Sequence, residues 1–170
     1  MLEVLKYTIP SLVVFITVFY IVKSYFDDQE KRRRYKALIK NKELITPIQL
    51  QAYERMILLL ERISPESLII RVSQTGMTNK QLQTEMLASI RAEFEHNLSQ
   101  QLYISVEAWE RVKNARATTI KMINTAADKL KPDGPYIQLS SAILDMSVEV
   151  EKTPNVMAIE FIKNDMKKLL

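Results

Sequence analysis

The chain of 170 residues contains no cysteine, two glycines and one histidine. The absence of cysteine excludes disulfides, zinc sites with thiolate ligands, cysteine nucleophiles and cysteine-ligated clusters. Gly76 and Gly134 are the only glycines, so the chain lacks the glycine-rich loops that bind phosphates in P-loop and dinucleotide-binding proteins. We therefore expect no cofactor, and the scarcity of glycine favours helices over tightly turned sheets.

The single histidine, His96, follows Glu93 at the Glu-x-x-His spacing, which places two metal ligands on one face of a helix. Di-iron helical bundles use two such motifs and two further glutamates, so one motif does not predict a metal site. No motif places a serine or threonine beside His96 as a nucleophile. We expect a protein that is not an enzyme and that binds neither a metal ion nor a small-molecule ligand.

An uncharged, mostly apolar run extends from Tyr7 to Val22. A helix needs about 20 residues to cross a bilayer, and this run reaches that length if Lys6 and Lys23 extend their ammonium groups to the lipid headgroups. We predict a transmembrane helix in residues 1–26. The alternatives are a cleaved secretory signal and a buried helix of a soluble domain. A cleaved signal is disfavoured because no small-residue cleavage site follows the run.

Basic residues are concentrated directly after the apolar run. Residues 23–42 contain eight basic and three acidic residues, a net charge of +5. Because positive charge stays on the cytoplasmic side, we predict a single-pass protein of the inner membrane, with its N-terminus outside and its C-terminal domain in the cytoplasm. The basic residues of this segment are Lys23, Lys31, Arg32, Arg33, Arg34, Lys36, Lys40 and Lys42.

The residues from 43 onward carry a net charge of −1, so the basic character is confined to the segment beside the predicted membrane helix. Each Lys or Arg near an anionic leaflet gains about 1 kcal/mol, which favours a role at the membrane surface and in setting topology. The alternative is a binding module that uses the same cluster for anionic lipid or nucleic acid. Nucleic acid is the weaker choice, because no exposed aromatic residues alternate with basic ones as base stacking requires.

Helix-starting signals become frequent after the basic juxtamembrane segment, residues 27–45. They predict an all-α fold, with the transmembrane helix followed by a compact cytoplasmic bundle of about five helices in residues 46–170. Residues 131–135 form the clearest turn, and residues 68–70 are also compatible with a strand. The predicted helices begin at Pro47, Pro65, Asn79, Val106, Tyr136 and Pro154.

The helix predicted from Pro47 to about Ile63 is apolar without interruption from Met56 to Leu60. This pattern predicts a helix at the centre of the bundle. Alternatively, Leu58 and Leu59, which lie off its main apolar face, contact a partner protein.

Arg116 interrupts the apolar stripe of the helix predicted from Val106 to Leu130. A guanidinium group in such a place must be paired or must face a cleft. We predict either a buried ion pair with Glu93 or Glu54 on a neighbouring helix, or a site where Arg116 receives a carboxylate or phosphate of a partner.

Residues 50–55 (LQAYER), 60–65 (LERISP), 95–103 (EHNLSQQLY) and 108–109 (AW) resemble an uncharacterised family of short single-pass membrane proteins of Bacteroidota. The resemblance covers nearly the whole chain and implies an inner-membrane location and a helical cytoplasmic part. It implies no activity, ligand or catalytic residue. We therefore expect a membrane-anchored accessory or scaffolding subunit that contacts the lipid bilayer and an integral membrane protein partner.

Overall fold

The computed structural model describes residues 2–148 and 152–168, and it describes side chains from Phe15 onward except at residues 37, 38 and 41–43. Within this part of the chain the fold is all-α and has no strand, which confirms the predicted class. Among the residues whose side chains are described, which begin at Phe15, no helix has both the length and the apolar character needed to cross a membrane. The helices are α1 (Leu2–Arg62), α2 (Pro65–Val72), α3 (Asn79–His96), a 3-10 helix (Leu98–Leu102), α4 (Val106–Ala127), α5 (Tyr136–Val148) and α6 (Pro154–Met166).

The chain divides into two compact units, residues 1–45 and 46–170, and α1 contributes to both. The prediction that a helix begins at Pro47 is wrong, because α1 runs through this position. Proline removes one backbone donor from a helix, but a single missing hydrogen bond does not end a helix whose neighbouring residues, such as Leu50, Gln51 and Ala52, are strong helix formers.

Five helices of the second unit, α2 to α6, begin where the sequence predicts. At four of these starts a serine or threonine side chain accepts a hydrogen bond from the backbone N–H three residues later, which satisfies a donor that has no partner within the helix. Thr78 forms a full capping box, because the Gln81 side chain also accepts from the Thr78 N–H at 2.9 Å. Residues 68–70 belong to α2 and not to a strand. The capping residues are Ser64, Thr78, Ser105 and Thr153.

The turn at residues 131–135 is held against the start of α3. Asn79 is buried; it donates to the Lys131 carbonyl at 2.9 Å and accepts from the Leu139 N–H at 3.2 Å. A Cβ atom at Gly134 would lie only 2.7 Å from the Asn79 side-chain nitrogen, so glycine is required for this close approach. The contact connects the first turn of α3 to α5.

The core of the second unit is formed by one face of each helix, and α4 contacts α3, α5 and α6. Between residues 51 and 62, α1 has a buried face and an exposed face, and Leu58 on the exposed face is 53% accessible. The prediction that this helix is central is therefore wrong, because one of its sides is open to solvent. The α1 residues in the core are Ala52, Tyr53, Met56, Leu59, Leu60 and Ile63.

Candidate functional site

The open side of α1 forms one wall of a groove in the second unit. Its lining residues on α1 recur every three or four positions, so they share one face of the helix. The α1–α3 groove has a volume of about 600 Å³ and is open along its length. Its lining residues are Gln51, Glu54, Arg55, Leu58, Leu59 and Arg62 on α1, and Ala92, Glu93, His96 and Asn97 at the end of α3.

A charged cluster fixes the two walls of the groove relative to each other. Glu93 on α3 accepts a hydrogen bond from Arg62 on α1 at 2.7 Å and one from Arg71 on α2 at 3.3 Å. Arg71 also donates to the Arg62 carbonyl at 3.2 Å and to the Ser89 hydroxyl at 2.7 Å. Two guanidinium groups therefore share one carboxylate, and this rim of the groove has excess positive charge.

The rest of the groove presents groups that have no partner within the described residues. Glu54 and His96 are exposed, and Arg55 is half-buried. None of these three side chains makes a hydrogen bond or an ion pair among those residues. An exposed leucine, Leu58, lies among them. This part of the groove therefore presents one apolar side chain together with charged and polar groups that are available to a binding partner.

The structure separates the predicted partner residues into two groups. Glu54, Leu58 and Glu93 meet at the groove. Leu59 is only 1% exposed and belongs to the core, so it is not available to a partner, although it forms part of the groove floor. The predicted pair of Leu58 and Leu59 is thus corrected to Leu58 alone.

Arg116 lies outside the groove, and Glu93 pairs with Arg62 and Arg71 instead of with Arg116. The Arg116 guanidinium carbon lies 4.1 Å from the centre of the Phe94 ring, and that ring is stacked on Trp109 with 5.2 Å between the ring centres. The buried Nε atom of Arg116 has no hydrogen-bond partner among the described residues. The aromatic ring takes the place of the expected carboxylate, through a cation–π contact.

A second polar cluster, which the sequence analysis did not identify, joins α1, α4 and α6. Asp165 is 6% exposed; its Oδ2 accepts from the Tyr53 hydroxyl at 2.7 Å and from the Ser105 hydroxyl. Its Oδ1 accepts from Lys168 at 3.0 Å. Tyr53 also accepts from the Ser105 N–H at 3.1 Å. Asp165 lies three residues after Ile162 and seven after Ala158, on the buried stripe of α6. A charged residue within an apolar stripe is the sequence signal from which this cluster could have been predicted.

The electrostatics of this cluster match a structural role. Burial alone would raise the pKa of Asp165, but the hydrogen bonds from Ser105, Tyr53 and Lys168 outweigh it and lower the pKa. Burial, together with the hydrogen bond to Asp165, raises the pKa of Tyr53. The Ser105 hydroxyl donates to Asp165 and also accepts from the Ala108 N–H as the cap of α4, so it connects this cluster to the start of that helix.

The predicted basic residues lie on α1 in the first unit, and those with described side chains are exposed. They are Lys23, Lys31, Arg32, Arg33, Arg34, Lys36 and Lys40. The side chain of Lys42 and the span residues before Phe15 lie outside the described side chains. Within the described part of the chain, no group of three His, Asp or Glu side chains is placed to hold a metal ion.

Comparisons with known proteins give a family but no function. No curated protein and no solved structure matches the chain. One family matches residues 1–169, which is nearly the full length. The chain therefore belongs to DUF7935, a family of unknown function.

Proposed function

We propose that this protein is a membrane-anchored accessory or scaffolding subunit of a membrane protein complex, which binds a partner protein through the α1–α3 groove. The observation that carries the proposal is the groove itself. It combines exposed Leu58 with Glu54, Arg55 and His96, which have no partner in the described part of the chain, and its walls are fixed by the ion pairs of Glu93. A preorganised surface of this kind loses little conformational entropy when it binds.

The anchor is supported by the sequence and by the exposure of the first unit. The run from Tyr7 to Val22 carries no charge, and the described apolar side chains from Phe15 to Val22 are 45–71% exposed. A surface of this kind is costly in water and favourable in a bilayer. The basic segment after it supports an orientation with the second unit in the cytoplasm.

A single substitution tests the groove. Leu58→Asp puts a charge at its centre, and Ile137→Asp is the matched control because Ile137 is 57% exposed on α5, outside the groove. The tagged full-length protein is extracted from its own membranes in mild detergent, and the proteins that copurify are quantified. We expect Leu58→Asp to reduce a stoichiometric partner at least about tenfold, as substitutions at interface centres do, and Ile137→Asp to retain it.

Two outcomes would contradict the proposal. One is recovery of the unsubstituted protein without a stoichiometric partner in several detergents. The other is equal retention of the partner by both variants. Circular dichroism of the two variants checks that neither has unfolded.

A further inference from the structure

The basic segment of α1 contains both paired and free cations. Arg32 donates to Asp28 at 2.9 Å, and Arg34 donates to Glu30. Each pair joins residues one helical turn apart, so the two arginines and the two acids together carry no net charge. Four other cations between residues 23 and 36 are exposed and have no acidic partner among the described residues. They are Lys23, Lys31, Arg33 and Lys36.

The net charge of this part of α1 is positive. Residues 23–36 contain six basic and three acidic residues, a net charge of +3. Asp27 is the one acid of this stretch that has no partner among the described residues, and it offsets one of the four free cations. Three free cations follow it along the helix, and we call them the free-cation set. They are Lys31, Arg33 and Lys36.

The distance along α1 decides whether these cations reach lipid, and this step rests on the proposed anchor, whose span ends at residue 26. At about 1.5 Å per residue, the backbone of Lys31 lies roughly 8 Å, that of Arg33 roughly 11 Å and that of Lys36 roughly 15 Å beyond the span for an upright helix. The headgroup layer is about 5–8 Å thick, and charges beyond it are screened over about 8 Å. Side chains of an α-helix lean toward its N-terminus, which here is the direction of the bilayer. The charges of the free-cation set therefore lie within the field of the headgroups.

The later charges of the segment lie outside this reach. Lys40, Lys42 and Glu43 lie roughly 21 Å or more beyond residue 26. They are separated from the headgroup layer by more than one screening length of about 8 Å. The free cations that act on the headgroups beyond the span are therefore those of the free-cation set.

The chemistry of the headgroups identifies the ligand. Phosphate oxygens accept charge-assisted hydrogen bonds from Lys and Arg, and acidic phospholipids add a net negative charge that an excess of cations attracts. Nucleic acid is disfavoured, because its phosphates are repelled by the negative surface potential of the same leaflet. We propose that the free-cation set binds acidic phospholipid headgroups and enriches these lipids around α1 in the cytoplasmic leaflet. This adds a lipid preference to the proposed anchor.

Charge variants of the full-length protein test this. The free-cation variant replaces all three members of the set with glutamine. A remote control loses the same number of charges from exposed lysines of the second unit, through Lys121→Gln, Lys129→Gln and Lys163→Gln. A pair-deleted control removes both ion pairs and keeps the net charge. Its substitutions are Asp28→Asn, Glu30→Gln, Arg32→Gln and Arg34→Gln.

Each protein is reconstituted in phosphatidylcholine vesicles that contain a trace of spin-labelled phosphatidylserine or spin-labelled phosphatidylcholine. Electron spin resonance measures the fraction of each labelled lipid whose motion is restricted by the protein. We expect the original protein and both controls to prefer phosphatidylserine about fivefold, the effect of one cation near an anionic leaflet. The free-cation variant should show a preference below about twofold. No preference in the original protein, an unchanged preference in the free-cation variant, or an equal fall in either control would overturn the proposal.

Other phosphates and the anchor give separate outcomes. Displacement of labelled phosphatidylserine by sodium phosphate, but not by sodium chloride at the same ionic strength, would show that the site takes free phosphate. Displacement by a DNA duplex at that ionic strength would show a nucleic-acid site. Both results overturn the proposal. If the anchor fails, neither labelled lipid is restricted and the protein leaves the membrane fraction in a carbonate wash, whereas restricted phosphatidylcholine without a preference for phosphatidylserine overturns the lipid preference alone.

Discussion

At the scale of single residues, Arg116 and Asp165 are two charged residues whose surroundings differ. Each places a charged group on the buried side of a helix. Asp165 receives three hydrogen bonds, whereas Arg116 has an aromatic ring beneath its guanidinium and an unpaired Nε. A satisfied buried charge stabilises a fold, and an unsatisfied donor costs free energy. The two residues should therefore respond differently to substitution.

We expect Arg116→Met to change the free energy of unfolding by no more than about 1 kcal/mol. It loses a cation–π contact worth about 0.5–1 kcal/mol, but it removes the unpaired Nε and allows a favourable sulfur contact with Phe94. Arg111→Met is the control, since Arg111 makes a similar contact with Phe161 but is exposed. Thermal unfolding followed by circular dichroism measures both. A loss above about 3 kcal/mol for Arg116→Met would reveal a buried ion pair.

We expect Asp165→Asn to lower stability at neutral pH by about 2 kcal/mol, because the hydrogen bonds to a charged acceptor are weakened. The pKa of Asp165 is lowered from its ordinary value of 3.8. Its stabilising effect is therefore present above that pH and is lost as the pH falls through the pKa of the folded state. The difference in urea midpoint between the original protein and the variant should shrink below about pH 4.

Asp145→Asn is the control for this pH dependence, because Asp145 is an exposed carboxylate on α5. It should leave the urea midpoint nearly unchanged at every pH. A difference between Asp165→Asn and the original protein that stays constant from neutral to acid pH would show that the carboxylate charge does not contribute.

At the scale of helices, local signals predicted the starts that depend on neighbouring residues. Ser64, Thr78, Ser105 and Thr153 cap their helices with groups only three residues away, so the sequence contains all that the cap requires. Thr46 and Pro47 show the same signal, but there the preceding residues are already helical. A start signal identifies a permitted boundary, and it does not show whether the helix before it has ended.

The candidate site was predictable only in part, because local sequence patterns do not show which helices pack beside each other. The pattern of α1 places both Leu58 and Leu59 off its main apolar face; Leu58 is exposed, but Leu59 is buried. The choice of partners for Glu93 depends on which helices pack beside α3, and no local rule distinguishes Arg62 and Arg71 from Arg116. The Asp165 cluster joins residues separated by 112 and 60 positions, so its assembly depends on tertiary packing.

At the scale of the whole molecule, charge and polarity are distributed unequally between the two units. The first unit holds the uncharged run and the basic segment, whereas the second unit, residues 46–170, contains 15 basic and 15 acidic residues and has no net charge. The proposed groove and the basic segment lie in different units. They can therefore be removed independently by substitution, and the effect of each on partner binding can be measured alone.

The proposed topology gives the last prediction, which uses reporters at both ends of the chain. Because positive charge is retained in the cytoplasm, green fluorescent protein fused after Leu170 should fluoresce, and alkaline phosphatase fused there should be inactive. Phosphatase fused before Met1 should be active. Replacing Lys31, Arg32, Arg33 and Arg34 with glutamine, and adding lysines before Tyr7, should shift part of the population to the opposite orientation. Phosphatase activity at the C-terminus of the unsubstituted protein, or a mature chain that begins after residue 22, would contradict the anchor and its orientation.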